Sequence, residues 1–142
     1  MASLKALLLN HNHIQYLPDA IASCSALTAL KVQNNDLHRL PEHIADLHKL
    51  RQLDAGENRL EYVPPALEGL TALRRLDLHS NRVHDLPESC STWTLLEQID
   101  LSRNQLRLLP EGVRRRACHE NVAIADLCAS ESVIRCASGS TA

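Results

Sequence analysis

The chain is short of rings, of glycine and of net charge, and each shortage closes off something. Phe is absent, and one Trp and two Tyr are the only aromatic residues among 142. A core must therefore be assembled from aliphatic side chains. These are plentiful, because hydrophobic residues make up 44% of the chain and Leu dominates them. A formal charge of -2 at pH 7 provides no global attraction to nucleic acid or anionic lipid. No run approaches the roughly 18 to 20 consecutive apolar residues that crossing a bilayer requires. The four glycines form no phosphate-cradling loop, and no nucleophile, base and orienting residue fall into a recognisable arrangement. Nucleic-acid binding, membrane insertion, a bound cofactor and intrinsic catalysis are all disfavoured.

Cysteine is present but unpaired in pattern. Cys24, Cys90, Cys118, Cys128 and Cys136 are odd in number and lack the spacing of a disulfide framework. Reduced thiols in the cytosol are the expected state. Cys118-His119, Cys128 and Cys136 contain ligand chemistry, yet their spacings match no familiar zinc arrangement, so no metal is expected. The opening residues, Met1 to Leu9, superficially resemble a signal peptide. However, Asn10, His11 and Asn12 follow at once, and the same leucines fall into a repeat, which is the reading adopted.

That repeat has a period of 23. Blocks open at Leu4, Leu27, Leu50, Leu73 and Leu96, with no insertion between them. The second block shows the frame: Leu27, Leu30, Val32, Asn35, Leu37, Leu40, Pro41 and Ile44. Alternation in its opening segment predicts a short strand with one buried face. Leu-Pro followed by spaced apolar residues predicts a single irregular or 3-10 turn that brings the chain back. One block alone buries too little apolar surface to offset the ordering of 23 residues. Stacked neighbours supply the missing area and the hydrogen bonds between strands. Asn12, Asn35, Asn58, Asn81 and Asn104 share one slot just after the strand. A short amide there can donate and accept, so these five are read as satisfying buried backbone groups of the turns. Trp93 falls in a core slot.

The pattern Leu-x-x-Leu-x-Leu-x-x-Asn-x-Leu-x-x-Leu-Pro-x-x-Ile resembles the leucine-rich-repeat superfamily. Its 23-residue Leu-Pro variety is similar to the arms of intracellular Ras-associated and Scribble- or Erbin-like scaffolds. The resemblance implies an α/β, right-handed solenoid with a parallel concave sheet of five short strands and irregular or 3-10 turns on the convex side. It also implies a cytoplasmic protein-binding module of signalling or scaffolding, with a small GTPase among the partner classes. The alternative is a targeting arm of a larger enzyme system, such as a kinase, phosphatase or ubiquitin ligase.

The repeat domain is expected over residues 1–118. Arg116 breaks the last core slot of the fifth block, and Leu127 stands where an asparagine is due. Val122 and Ile124 still occupy the strand slots one period after Ile99 and Leu101. Residues 119–142 thus read as a degenerate sixth strand or a short capping helix, followed by a disordered tail. At the front, only three residues precede Leu4. The first block's open side is expected to fray, to be covered by a partner, or to continue into a longer protein.

Alternation is expected to turn two columns onto the concave face. One runs Lys5, Thr28, Arg51, Arg74 and Glu97, and the other Leu8, Lys31, Asp54, Asp77 and Asp100. An acidic ladder of Asp54, Asp77 and Asp100 would then lie beside a basic stripe of Arg51, Arg74 and Arg75. These residues, with Lys31 and His79, are the candidate protein-binding set; a solvated surface of mutually neutralising charges is the competing interpretation. Arg114-Arg115-Arg116 reads as a solvated turn.

Overall fold

A computed structural model of the chain describes residues 3–114 and 123–125. Six three-residue strands form one parallel sheet in chain order: β1 (Ala6–Leu8), β2 (Ala29–Lys31), β3 (Gln52–Asp54), β4 (Arg75–Asp77), β5 (Gln98–Asp100) and β6 (Ala123–Ala125). From β1 to β5 the register advances by the 23-residue period, so Leu7, Leu30, Leu53, Leu76 and Ile99 stand side by side. Leu30, Leu53, Leu76 and Ile99 are almost wholly buried, which is the aliphatic seam that the alternation predicts.

Between strands the chain turns twice. The residue ahead of each asparagine adopts a left-handed conformation: His11, Asn34, Glu57, Ser80 and Arg103 all have φ between 52° and 57°. Such a backbone is disfavoured for L-residues and persists only where its surroundings hold it. On the far side, four 3-10 turns cover Asp19–Ser23, Glu42–Asp46, Pro65–Gly69 and Glu88–Thr92. Each follows a proline of a Leu-Pro or Val-Pro pair, whose missing N–H costs nothing at the first position of a turn. Within them Ile21 N donates to Pro18 O and Cys24 N to Ile21 O, the three-residue closure of this tight helix. Neighbouring turns approach closely. A Cβ on Gly69 would lie 2.8 Å from the Ala45 carbonyl oxygen, so glycine is what lets these two turns touch. The fifth block departs from the others: residues 111–114 are α-helical, with Arg114 N donating to Pro110 O.

The asparagine slot performs as expected in four of the five blocks. Asn58 is buried; its Oδ1 accepts from Leu37 N, and its Nδ2 donates to Val32 O, Ala55 O and Gly56 O. Asn35, Asn81 and Asn104 repeat the arrangement. Asn12 is exposed, and its side-chain amide donates only to Leu9 O and Asn10 O. Among the described residues no buried side-chain nitrogen or oxygen lacks a partner. Trp93 is buried, with its indole N–H donating to Leu67 O at 2.9 Å.

Two expectations are corrected. The sixth strand exists, but it does not continue the period. Ile124 lies opposite Ile99, and Ala123 and Ala125 flank it, an offset of 25 rather than 23 (124 − 99). Ile124 therefore takes the slot of Ile99 rather than that of Leu101, and Val122 lies outside the described residues. The second correction concerns the column of Lys5, Thr28, Arg51, Arg74 and Glu97. A strand alternates with period two, so the residues sharing the face opposite Leu53 are its immediate neighbours, Gln52 and Asp54. Arg51 and Arg74 stand ahead of β3 and β4, exposed at the entry edge of the sheet. The column on the open face is Ala6, Ala29, Gln52, Arg75 and Gln98. Apart from residues 123–125, the expected cap and tail over 119–142 lie outside the described residues, as do Arg115, Arg116 and the cysteines Cys118, Cys128 and Cys136.

Candidate functional site

The sheet face turned away from the core is where strand geometry gathers polar side chains. Residues on either side of each buried seam residue point to this face, and the register lines them up across turns about 4.8 Å apart. Lys31, Asp54, Asp77 and Asp100 are consecutive partners, so the acidic ladder is present. Arg75 joins Gln52 and Gln98 in the parallel column. Together Gln52, Asp54, Arg75, Asp77, Gln98 and Asp100 wall a shallow depression of about 360 Å³, floored by Leu76 and Ile99.

Like charges in adjacent rungs repel, and the local contacts show how each aspartate is held. Asp54 is approached by Lys31 Nζ at 3.4 Å and accepts from Gln52 Nε2 at 2.9 Å. Asp77 Oδ1 accepts from the His79 backbone N–H at 3.0 Å and faces His79 Nδ1 at 2.6 Å. Asp100 Oδ1 accepts from Ser102 N and Ser102 Oγ and has no cationic partner among the described residues. Arg74 is tied to Glu97 at the entry edge. Arg51 and Arg75 form no ion pair with any described residue. The competing interpretation, a surface of mutually neutralising charges, therefore describes Lys31–Asp54, His79–Asp77 and Arg74–Glu97 but leaves Arg51 and Arg75 without an ion pair among the described residues.

His79 is the most constrained member. Its ring lies across the face into the neighbouring turn, over Gly56, where an added Cβ would sit 2.3 Å from Nδ1. Gly56 is thus the recess that admits the imidazole. Nε2 reaches Glu57 Oε1 at 3.3 Å, so the ring bridges two carboxylates from two turns. Burial alone would pull the His79 pKa down. The hydrogen bond and charge of Asp77, the hydrogen bond of Glu57 and the charge of Asp100 outweigh it, and the pKa stands above the ordinary value. Glu57 is held below the usual carboxylate range by the Gln33 amide first, then by His79 and Asn34. Sequence reading placed His79 in the candidate set but missed Gly56 and Glu57. Counting two residues past Lys31 and each aspartate would have exposed the column Gln33, Gly56, His79, Ser102, with its single gap.

Asp77, His79 and Asp100 each offer a ligand atom within 4.8 Å of one another. A cation there would have to displace the proton that His79 shares with Asp77, which makes any such binding proton-coupled.

The architecture defines a class first: a parallel solenoid of 23-residue turns, each with strand, left-handed corner, asparagine bridge and return turn. The chain is a leucine-rich-repeat protein, and residues 2–60 match the family model described as leucine rich repeat. Among solved structures it is similar to a leucine-rich-repeat protein of Leptospira interrogans, at 30% identity and a TM-score of 0.80 over 88% of this chain and 31% of that one. An internalin of Listeria monocytogenes is similar at 25% identity and a TM-score of 0.71, covering 89% of this chain and 36% of that one. A chain of the LRIM1/APL1C complex is similar at 30% identity and a TM-score of 0.70, covering 76% and 20% respectively. The chain thus spans about a third or less of the length of these structures. No curated protein matches it. Leucine-rich-repeat domains generally mediate protein–protein interaction and are typically not enzymes. No helix among the described residues is long and apolar enough to cross a membrane.

Proposed function

We propose that the chain is a protein-binding module whose partner docks on the open face of the sheet, in cytoplasmic signalling or scaffolding. The single observation that carries this reading is the depression walled by Asp54, Arg75, Asp77 and Asp100. It presents Arg75, which forms no ion pair with a described residue, beside three carboxylates held in fixed positions by Lys31, His79 and Ser102, an arrangement that suits selective, electrostatically steered association. Rigid strands hold these groups in place before a partner arrives, so little ordering accompanies binding. The cytoplasmic assignment is supported by Cys24, a free buried thiol, and by the odd cysteine count. The Leu-Pro repeat variety, similar to intracellular scaffolds, supports it as well.

Site-specific photo-crosslinking in native lysate tests the proposal. A photoreactive residue replacing Gln98 should yield discrete adducts, and one replacing Glu68, exposed on the return turns, should not. Reversing Arg75 and Asp100 together should abolish the Gln98 adducts while leaving the melting temperature unchanged. Adducts that survive the reversal, or form equally from Glu68, would count against this face.

A further inference from the structure

The open sheet face is not the molecule's only unusual surface. The same 23-residue step carries Tyr16 to Arg39, Tyr62, Asp85 and Leu108, the position just before each Leu-Pro or Val-Pro pair. All five side chains are exposed. Tyr16 is 73% exposed, Tyr62 43% and Leu108 64%. This one column holds both tyrosines of a chain that has no Phe and whose single Trp, Trp93, is buried. It also holds three of the six large exposed apolar side chains among the described residues. Both tyrosines stand outside, on either side of an arginine. Tyr, Trp and Arg are the residue types that dominate binding hot spots.

Hydrogen bonds between turns set the spacing on this flank. His38 N donates to Gln15 O, His84 N to Glu61 O and Arg107 N to His84 O, at 3.2–3.4 Å, so the turns stack here as they do in the sheet. One step is then about 5 Å, and Tyr16 and Tyr62, two steps apart, stand about 10 Å from one another. Polyproline II rises about 3.1 Å per residue with three residues per turn, which returns a side chain to the same face every 9 Å or so. Two prolines at i and i+3 would meet the two rings, with the planar Arg39 guanidinium between them. A groove of about 450 Å³ opens beside Tyr16 and Arg39, with Pro18, Asp19, Pro41 and Glu42 in its walls. Asp19 and Glu42 form no ion pair with any described residue. They are placed to receive a Lys or Arg flanking the prolines, and with Asp85 they repel anionic lipid.

We infer that this flank docks a proline-rich segment in polyproline II conformation, with a basic residue at one end, carried by a partner protein. The inference is independent of the sheet face. Low-entropy, preformed segments of this kind are recognised by aromatic-lined grooves, and the tyrosine spacing supplies the ruler.

The probe is the synthetic peptide acetyl-Ala-Pro-Pro-Ala-Pro-Pro-Ala-Arg-amide, titrated into nitrogen-15-labelled protein. A second peptide carries alanine at every proline. The expected result is saturable shifts confined to Tyr16, Arg39, Tyr62 and their neighbours, with the proline-free peptide inert. Tyr16→Ala with Tyr62→Ala should weaken binding about tenfold or more. Tyr16→Phe with Tyr62→Phe should retain it, and both doubles should melt like the parent. Asp19→Asn with Glu42→Gln should weaken binding several-fold and flatten its salt dependence. No saturable binding, equal binding of the proline-free peptide, or shifts on Asp77 and Asp100 instead would overturn the inference. So would tyrosine-dependent capture by phosphatidylserine vesicles in place of the peptide, which would make the flank a membrane contact.

Discussion

Asn58 and Asn12 are the same residue in the same slot of the same repeat, yet they do different work. Asn58 is buried and joins two turns through four hydrogen bonds. Asn12 is exposed, and its side-chain amide binds only two carbonyls of its own turn. Leu53 and Leu7 differ in the same way: Leu53 is sealed in the seam, and Leu7 is only partly buried against it. The repeat supplies the residues, but the neighbouring turn decides what each is worth.

The contrast can be broken most severely in the seam. Leu53→Ala should cost about 2–5 kcal/mol, as large-to-small changes in sealed cores do, and Leu7→Ala markedly less, by urea denaturation followed by circular dichroism. Similar losses for the pair would mean that the first turn is as well packed as the third. Next comes the amide. Asn58→Ala strands the buried Leu37 N–H, at about 1–3 kcal/mol, while the Val32 carbonyl keeps the Asn35 amide; Asn12→Ala should cost under about 1 kcal/mol. Equal effects would show that the amide acts within its own turn only.

Gly56→Ala forces the His79 ring out of its recess and should cost about 1–3 kcal/mol as an overpacking change. Combining it with His79→Ala should restore most of that loss, and a double-mutant cycle that returned additive values would deny the contact. The smallest effect is on pH. The folded state raises the His79 pKa, so the bridge to Asp77 and Glu57 contributes stability that is complete below the unfolded value of about 6.5. That contribution fades as pH rises through the folded pKa. Melting temperature should therefore drop slightly from pH 6 to pH 8.5 in the parent and lose that component in His79→Gln. Glu57 acts with the opposite sign, since its lowered pKa contributes stability above the ordinary carboxylate range that is lost on acidification.

Much of the fold is legible in the sequence because its period is unbroken. Leu27, Leu30 and Val32 announce a strand with a buried face, Leu40-Pro41 a return turn, and Asn35 a bridge, five times over. Phase is harder to read than period. The Leu-x-x-Leu opening places Arg51 and Arg74 beside a leucine in the sequence, yet only residues adjacent to Leu53 and Leu76 share the open face. The left-handed corners at His11, Asn34, Glu57, Ser80 and Arg103 carry no common residue type. Glycine would have marked them, and none is used. The sixth strand also shows the limit of counting: Ile124 pairs with Ile99 two residues out of period. Of the candidate site, the aspartate ladder followed from spacing, but the Gly56 recess and the Tyr16–Arg39–Tyr62 flank needed side chains placed in space.

The asparagine bridge has a direction. The Asn58 oxygen receives the Leu37 N–H of the turn before it, and Asn81 does the same for Leu60. Every loop is therefore left open by its own residues and closed by its successor. A chain emerging from the ribosome would hold each new turn unlatched until about two dozen further residues had followed. Folding of this molecule during synthesis should consequently trail translation by one coil.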